Sequence, residues 1–370
     1  MQASFYLPVR VLFGRGVIMA NPSYLTIGKK AMIVTGRNGA RASGALDDVT
    51  RVLDGAGVAY VIFDRVTENP PILTCLEGGA LAAREGVDFV IGIGGGSPLD
   101  AAKAIAAFAT NPTLSAKDLY DDAKRIHPTL PLVAVPTTAG TGSEANPYSV
   151  LTLPDGERKK TFKAADTWFR TAFVDPCYTE SLSRETTIST ALDAFAHALE
   201  SYLSPKSSAF SEGAALFAAA RIWDVLSQSP ATFSPEMRDD LMAASCAAGM
   251  AISVTGTGFP HPLGYSLTLL DGVPHGRACA AFAADYIDYN EKAEQGKARI
   301  ATFAEAIGAT PRVMKALLTG LSDVSFSFTE QEIARRVELV KGAGNYTNSP
   351  YVLSVEEMYD IYRRLFLKKK

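Results

Sequence analysis

In the first half of the chain, short apolar runs rich in β-branched residues alternate with longer amphipathic stretches. The runs are Ala31–Thr35 (AMIVT), Tyr60–Asp64 (YVIFD), Asp88–Gly94 (DFVIGIG) and Leu132–Thr137 (LVAVPT). Each is almost unbroken in apolar residues, which suits strands covered on both faces. Between them Gly44–Ala56, Ile72–Arg84 and Pro98–Thr110 read as helices, the last with Ser97 at the N-cap and Pro98 in the first turn. Strand and helix in alternation predict a parallel sheet with right-handed crossovers.

Beyond Thr171–Pro176 (TAFVDP) the strand signal fades and Ala, Leu and Met recur at helical spacing. Over Glu185–Leu203, Ile188, Leu192, Phe195, Leu199 and Tyr202 step by three or four residues, the mark of an amphipathic helix. Further helical patterns lie near 208–227, 236–252, 276–307, 311–321, 329–341 and 354–367. A boundary near Ser181 follows, giving an α/β domain over 1–181 and an all-helical domain over 182–370. The Lys368–Lys370 run reads as a solvated tail.

Several function classes are disfavoured. With 47% hydrophobic and 20% charged residues the chain is of ordinary globular composition, not disordered or fibrous. A net charge of −3 offers no general attraction for nucleic acid or anionic lipid. The N-terminal MQASFYLPVRVLFGRG lacks the pattern of a secretory signal, and Leu241–Phe259, broken by Gly249, Gly256 and Gly258, reads as buried helix and loop instead of a membrane span. Cys75, Cys177, Cys246 and Cys279 stand far apart with no CxxC pair, so neither a disulfide framework nor a thiolate zinc site is expected, and a reducing cytoplasm fits.

Two loops and three histidines carry chemistry. Gly92-Ile93-Gly94-Gly95-Gly96-Ser97-Pro98-Leu99-Asp100 follows the third strand and opens a helix, where backbone N–H groups and the helix dipole can receive a diphosphate. Ser97 stands at the last glycine position of G-x-G-x-x-G and the loop does not follow the first strand, so this is not the ordinary Rossmann fingerprint. The fourth strand ends in Pro136-Thr137-Thr138-Ala139-Gly140-Thr141-Gly142-Ser143-Glu144, rich in hydroxyls able to donate to phosphate or ribose. Both loops lie at strand C-termini, where open α/β sheets bind ligands, and together they favour a dinucleotide.

His197 follows Asp193 by four residues on one helix face, and His261 and His275 stand in GFPH and VPHG, fourteen residues apart. One carboxylate and three imidazoles, without a thiolate, suit iron(II) or zinc. His127, in a polar loop before Pro128, carries no such expectation.

The chain resembles the iron-containing (group III) alcohol dehydrogenases, from about Phe13 to the last helix. The resemblance rests on GGGSPLDAAK at 94–103, PTTAGTGSE at 136–144, LDAFAHALESYLS at 192–204, CAAGMAI at 246–252 and GVPHG at 272–276. It implies a dehydroquinate synthase-like fold, with a Rossmann-like dinucleotide-binding domain followed by an all-α metal-binding domain. It implies metal ligands at Asp193, His197, His261 and His275, in agreement with the histidine reading, with iron(II) expected and zinc an alternative. Cofactor contacts implied by the motifs are Gly94, Gly95, Gly96, Ser97, Asp100, Thr137, Thr138, Thr141 and Ser143, together with Asn69 and Lys160, although Lys159 leaves that last register open. The expected activity is hydride transfer between NAD(P) and a small primary alcohol, diol or aldehyde. Relatives form dimers and larger assemblies, so a homo-oligomer is expected.

The chain departs from that family at two positions. Many NAD-preferring relatives carry an Asp where this chain has Gly36 after Val34-Thr35; no carboxylate would repel a 2′-phosphate here, and Arg37 and Arg41 stand nearby to pair with one, so NADP is expected over NAD. Where many relatives have a histidine four residues after His261, this chain has Tyr265, a phenol with an ordinary pKa of about 10 and a poorer proton shuttle at neutral pH. Tyr265 is expected to shape the pocket, with Phe259 and Leu267 as candidates for an apolar wall. Competing readings are a glycerol-dehydrogenase-like polyol oxidoreductase, a dehydroquinate-synthase-like cyclase and a non-catalytic NADP-binding module.

Overall fold

The computed structural model describes residues 4–368. Lys369 and Lys370 of the expected tail lie outside the described residues, as do the first three. Strands are β1 (Arg10–Phe13), β2 (Lys30–Thr35), β3 (Ala59–Phe63), β4 (Phe89–Gly94), β5 (Leu132–Pro136), β6 (Ser149–Thr152), β7 (Lys159–Phe162) and β8 (Thr171–Val174). In the same half lie α1 (Val17–Ala20), α2 (Gly39–Ala42), α3 (Ala45–Gly55), α4 (Ile72–Glu85) and α5 (Gly96–Thr110). From Arg184 the chain is helical: α6 (Arg184–Leu203), α7 (Ala209–Ser227), α8 (Pro235–Thr255), α9 (Pro260–Asp271), α10 (His275–Ala280), α11 (Ala283–Asn290), α12 (Glu294–Ala306), α13 (Pro311–Ser322), α14 (Glu330–Val340) and α15 (Val355–Phe366). The expected α/β part followed by a helical part is present. Among the described residues no single helix is long and apolar enough to cross a membrane.

The described residues divide into two compact units, one of Tyr6–Ser183 with Thr232–Gly249, the other of Arg184–Ala231 and residues 250–368, together with residues 4–5. In the first, six parallel strands run in the order β1-β8-β5-β4-β2-β3. β2, β4, β5 and β8 are buried almost throughout, as their unbroken apolar runs require. After β3 the chain returns to the other side of β2 to form β4, so the strand order reverses between β2 and β4. A crevice at their C-terminal ends is where such sheets receive ligands. β6 and β7 form a separate antiparallel hairpin.

The stretch 232–249 joins this unit through identifiable contacts. Arg15 reaches Glu180 at 2.9 Å, Asp239 at 2.8 Å and the Pro235 carbonyl at 3.0 Å. Arg238 donates to the carbonyls of Thr179 and Leu182. Gly249 lies against Gly142, whose carbonyl oxygen would be 2.3 Å from a Cβ at position 249.

In the helical unit, the pattern expected near 276–307 resolves into three helices, α10, α11 and α12, separated at residues 281–282 and 291–293. The expected cap of α5 is also displaced. Gly95 holds the N-cap position without a side-chain bond, placing Ser97 inside the first turn. Gly94, at φ +148°, takes a conformation closed to most L-residues, and the helix begins at once behind it.

Candidate functional site

In the helical unit, Asp193, His197 and Glu200 occupy positions i, i+4 and i+7 of α6 and so share a face. His261 is the second residue of α9 and His275 the first of α10. Two close approaches bring these elements together. A Cβ at Gly276 would fall 1.7 Å from the Ser189 carbonyl oxygen and 2.8 Å from the Asp193 nitrogen, so only glycine lets α10 start against α6. A Cβ at Gly264 would lie 3.1 Å from the Ala278 backbone, where α9 meets α10.

The outcome is a convergence on one atom. The Nε2 atoms of His197, His261 and His275 lie 3.6, 3.5 and 3.8 Å from Asp193 Oδ1. These separations are long for hydrogen bonds. They match donors sharing one ion, because nitrogen or oxygen atoms about 2.1 Å from a tetrahedral centre stand about 3.4 Å apart. Asp193 Oδ1 and His261 Nε2 are buried and have no hydrogen-bond partner among the described residues. An ordinary core does not leave both a carboxylate oxygen and an imidazole nitrogen in that state, so the donor set fits a divalent cation. His197 and His261 stack with ring centroids 4.7 Å apart. The His275 side chain retains 28% exposure and gives the cluster its open side.

The charges agree with this reading. Burial alone would raise the Asp193 carboxyl, but His197, His275 and His261 hold it well below the usual carboxylate range. Burial alone would lower His261, yet the Glu200 and Asp193 carboxylates push it up to about 10. The polypeptide has collected negative charge around His261 that a cation would neutralise.

Sequence reasoning missed two residues here. Glu200 places both carboxylate oxygens 2.9 Å from His261 Nδ1 and accepts from the Gly258 N–H at 2.5 Å. Its position seven residues after Asp193 on the same helix was the available signal. Cys279 brings its thiol to the cluster: one ligand atom each from Asp193, His261, His275 and Cys279 lie within 4.8 Å of one another. His275 and Cys279 share a face of α10, a relation hidden while 276–307 reads as one long helix.

Tyr265, one turn after His261, lies over the His275 ring with centroids 5.7 Å apart and planes at 27°. Phe259 and Leu267, expected as pocket wall, are fully buried. Phe259 packs edge-on against Tyr286 at 4.9 Å, which makes it core.

In the α/β unit, the glycine and hydroxyl loops face each other. A Cβ at Gly95 would meet Thr138 Oγ1 at 3.0 Å, and one at Gly96 would meet Thr141 Cγ2 at 2.5 Å. The Thr137 N–H donates to the Gly94 carbonyl at 2.9 Å. Ser97 Oγ accepts from the Asn69 N–H at 3.2 Å, and Asn69, at φ +53°, gives its carbonyl to Thr152 Oγ1 at 2.8 Å. Asp100 accepts from Ser143 Oγ at 2.6 Å and the Val150 N–H at 2.8 Å, so Asp100 and Ser143 join α5 to the hydroxyl loop.

Lys103, beneath them, is fully buried. Its Nζ donates to Ser143 O and Oγ, both at 2.8 Å, to Asn146 O at 3.0 Å and to Tyr148 O at 2.6 Å. Burial lowers it to about 8, against the opposing pull of Asp100 and Glu144. Lys160 lies with its Nζ 4.2 Å over the Tyr120 ring, while Lys159 is the lysine whose charge acts on Asp100. Gly36 follows β2, and Arg37 and Arg41 are exposed, with no ion-pair partner among the described residues. The His127 backbone is held by Asn111.

Comparison with known proteins decides the family. The family model for iron-containing alcohol dehydrogenase matches residues 8–176, and that for the C-terminal part of the Fe-containing alcohol dehydrogenase family matches 187–324. The chain belongs to the iron-containing alcohol dehydrogenase family.

Among its relatives, the NADPH-dependent butanol dehydrogenase of Clostridium saccharobutylicum is 28% identical over 381 residues, covering 98% of this chain and 97% of the relative. The 1,3-propanediol dehydrogenase of Klebsiella pneumoniae is 34% identical over 301 residues, covering 80% and 74%. The crystal structure of an iron-containing alcohol dehydrogenase from Thermotoga maritima superposes with a TM-score of 0.91 at 36% identity, covering 98% of this chain and 99% of that one. This member of the family is thus a metal-dependent, NAD(P)-binding oxidoreductase of alcohols and aldehydes.

Proposed function

We propose that this iron-type dehydrogenase interconverts small aldehydes with their primary alcohols or diols, using NADP in preference to NAD. Its divalent ion, iron(II) by preference and zinc as the alternative, is held by Asp193, His197, His261 and His275. The observation that carries this reading is the approach of three imidazole Nε2 atoms to the single buried oxygen Asp193 Oδ1, at 3.5 to 3.8 Å. When bound, the ion supplies Lewis acidity toward an alcohol or carbonyl oxygen, and the nicotinamide dinucleotide supplies or accepts the hydride.

The chain's own residues bind, orient and exclude. Asp193 contributes the negative charge of the donor set. Glu200 holds the His261 Nδ1–H and thereby directs Nε2 at the ion. Tyr265, stacked against the His275 ring, shapes the substrate's approach and can donate a hydrogen bond to its oxygen. Gly94, Gly95 and Gly96 let a diphosphate reach the N-terminus of α5. Ser97, Asn69, Thr137, Thr138 and Thr141 offer uncharged polar groups around it. Asp100, Ser143 and Lys103 keep the two loops in place. Lys159 or Lys160 faces the ribose.

Three features support the preference for NADP. Gly36 puts no carboxylate at the end of β2, Arg37 and Arg41 are exposed beside it, and one relative is by name NADPH-dependent. We assign dinucleotide binding to 1–181 and metal chemistry to 182–370. We place the enzyme in the cytoplasm, where four unbridged thiols are at home. It functions as a homodimer or larger assembly. Phe210 and Phe217, seven residues apart on α7 and 62% and 44% exposed, are the kind of apolar face that subunits cover.

Initial rates of NADPH and NADH oxidation with short aliphatic aldehydes and hydroxyaldehydes test the activity and the preference together. Turnover with a higher kcat/KM for NADPH is expected, as is a loss of about tenfold in Arg37→Ala with NADPH alone. A lower KM for NAD than for NADP overturns the preference. Failure of every aldehyde overturns the substrate class.

A further inference from the structure

We propose that Glu144 is a positioning residue of the hydroxyl loop that takes up a proton when the dinucleotide binds, so that one buried carboxyl links cofactor affinity to pH. The proposal rests on the reading that the glycine and hydroxyl loops receive the dinucleotide, and deepens it.

Glu144 lies in the short turn Ser143–Ala145 that closes the hydroxyl loop, and it is buried. Lys103 of α5 holds the chain on either side of it, at Ser143 and at Asn146 and Tyr148. Those four oxygens occupy the three N–H bonds of the ammonium, so Lys103 acts on Glu144 through its charge alone.

The two carboxyls of this cluster are served unequally. Asp100 accepts from Ser143 Oγ on one oxygen and from the Val150 N–H on the other, which favours its ionised form. Lys103 adds positive charge to Asp100, and Lys159 of β7 a weaker share. Glu144 has weaker partners, its own backbone N–H and the Cys246 thiol of α8.

Two carboxylates beside one buried ammonium leave one negative charge uncompensated, beneath loops that have to receive a diphosphate. A buried group sheds such a charge by binding a proton. Burial pushes the Glu144 carboxyl up to about 7, with its own N–H, the Lys103 charge and the Cys246 thiol pulling the other way. Burial also raises the thiols of Cys246 and of Cys75 on α4, so both stay protonated. An arriving diphosphate adds negative charge, and like charge favours the neutral carboxyl. Binding therefore draws one proton from solvent onto a Glu144 oxygen; no other bond is made or broken.

Full-length, metal-loaded protein is titrated with NADPH by calorimetry in buffers of different ionisation enthalpy, as wild type, Glu144→Gln and Cys246→Ala. Near pH 7.5 wild type is expected to take up about half a proton more than Glu144→Gln. Proton exchange at the 2′-phosphate and the metal centre is common to both and cancels in the difference. From about pH 6.5 to about pH 9, NADPH affinity is expected to fall about tenfold further in wild type than in Glu144→Gln. Cys246→Ala removes a donor to the carboxylate and is expected to move that fall to higher pH. A residue that merely packs would change affinity equally at every pH.

Equal proton counts in wild type and Glu144→Gln would overturn the proposal, and a pH profile unchanged in Glu144→Gln would assign the proton to Lys103 instead. Should Glu144→Gln fail to fold, a Cys246→Ala profile coinciding with wild type would overturn it. Absence of NADPH binding in wild type would overturn the dinucleotide reading and this proposal together.

Discussion

Glu200 and His261 are joined behind the donor cluster, with both carboxylate oxygens 2.9 Å from Nδ1 while Nε2 faces Asp193 Oδ1 at 3.5 Å. The contact selects the tautomer with its proton on Nδ1 and fixes the ring's direction. Glu200→Gln retains the shape and removes the charge. It is expected to weaken zinc binding about 10- to 100-fold, read by chelator competition, with unchanged far-ultraviolet circular dichroism. Zinc affinity equal to wild type would show that Glu200 has no part in the centre.

Gly276 determines how closely α10 approaches α6, since a Cβ there would fall 1.7 Å from the Ser189 carbonyl oxygen. Gly276→Ala must displace the start of α10, and His275 with it. A loss on the order of 1–3 kcal/mol is expected, together with reduced metal content in the purified protein. Full occupancy at an unchanged Tm would contradict the close contact.

Much of this was legible in the sequence, for a physical reason in each case. β2, β4 and β5 stood out because a strand covered on both faces must be apolar at every position, and β3 stood out by the same apolar run although it is a partly exposed edge strand. β1 and the β6–β7 hairpin did not. They are short and partly exposed, as Arg10, Lys159 and Lys160 show. α9 was hidden by Pro260, Pro262 and Gly264, residues that read as loop yet are accommodated in its first turns. The three histidines and Asp193 were recognisable by type, because few other arrangements concentrate imidazole in an apolar half. Glu200 acts through His261, a neighbour brought close only by the fold. No local pattern marked 232–249 as part of the N-terminal unit, because its ties to Arg15, Thr179 and Gly142 are all distant in sequence.

His261 also sets a pH dependence. Its value is about 10 in the folded, metal-free protein against an ordinary 6.5. A group raised by folding gives its full stabilisation below the unfolded pKa and loses it as pH rises through the folded one. Metal-free protein is therefore expected to lose Tm progressively from pH 6.5 to about 10. Coordination needs the neutral Nε2, so zinc binding near pH 7.5 should displace about one proton from His261 and tighten about tenfold per pH unit. Calorimetry in buffers of different ionisation enthalpy counts that proton. A count of zero would refute the coupling.

Lys103 is a fully buried cation of the α/β unit, with four oxygen acceptors between 2.6 and 3.0 Å. Lys103→Met fills the space, leaves those acceptors without their donor and removes the positive charge that offsets Asp100. The expected cost is about 3–5 kcal/mol, seen as a lower denaturant midpoint, with weakened NADPH binding as the hydroxyl loop loses its anchor. A wild-type midpoint would mean that the acceptors are satisfied in another way.

The most direct test of the account is to measure metal content and turnover on the same samples as metal is removed and restored. Protein purified without oxygen is stripped with chelator, assayed for aldehyde-dependent NADPH oxidation, then reloaded stepwise with iron(II) or zinc. The account predicts activity that vanishes on stripping, returns in proportion to bound metal and saturates at one ion per chain, with His261→Ala failing to recover. Undiminished turnover in stripped protein would contradict it.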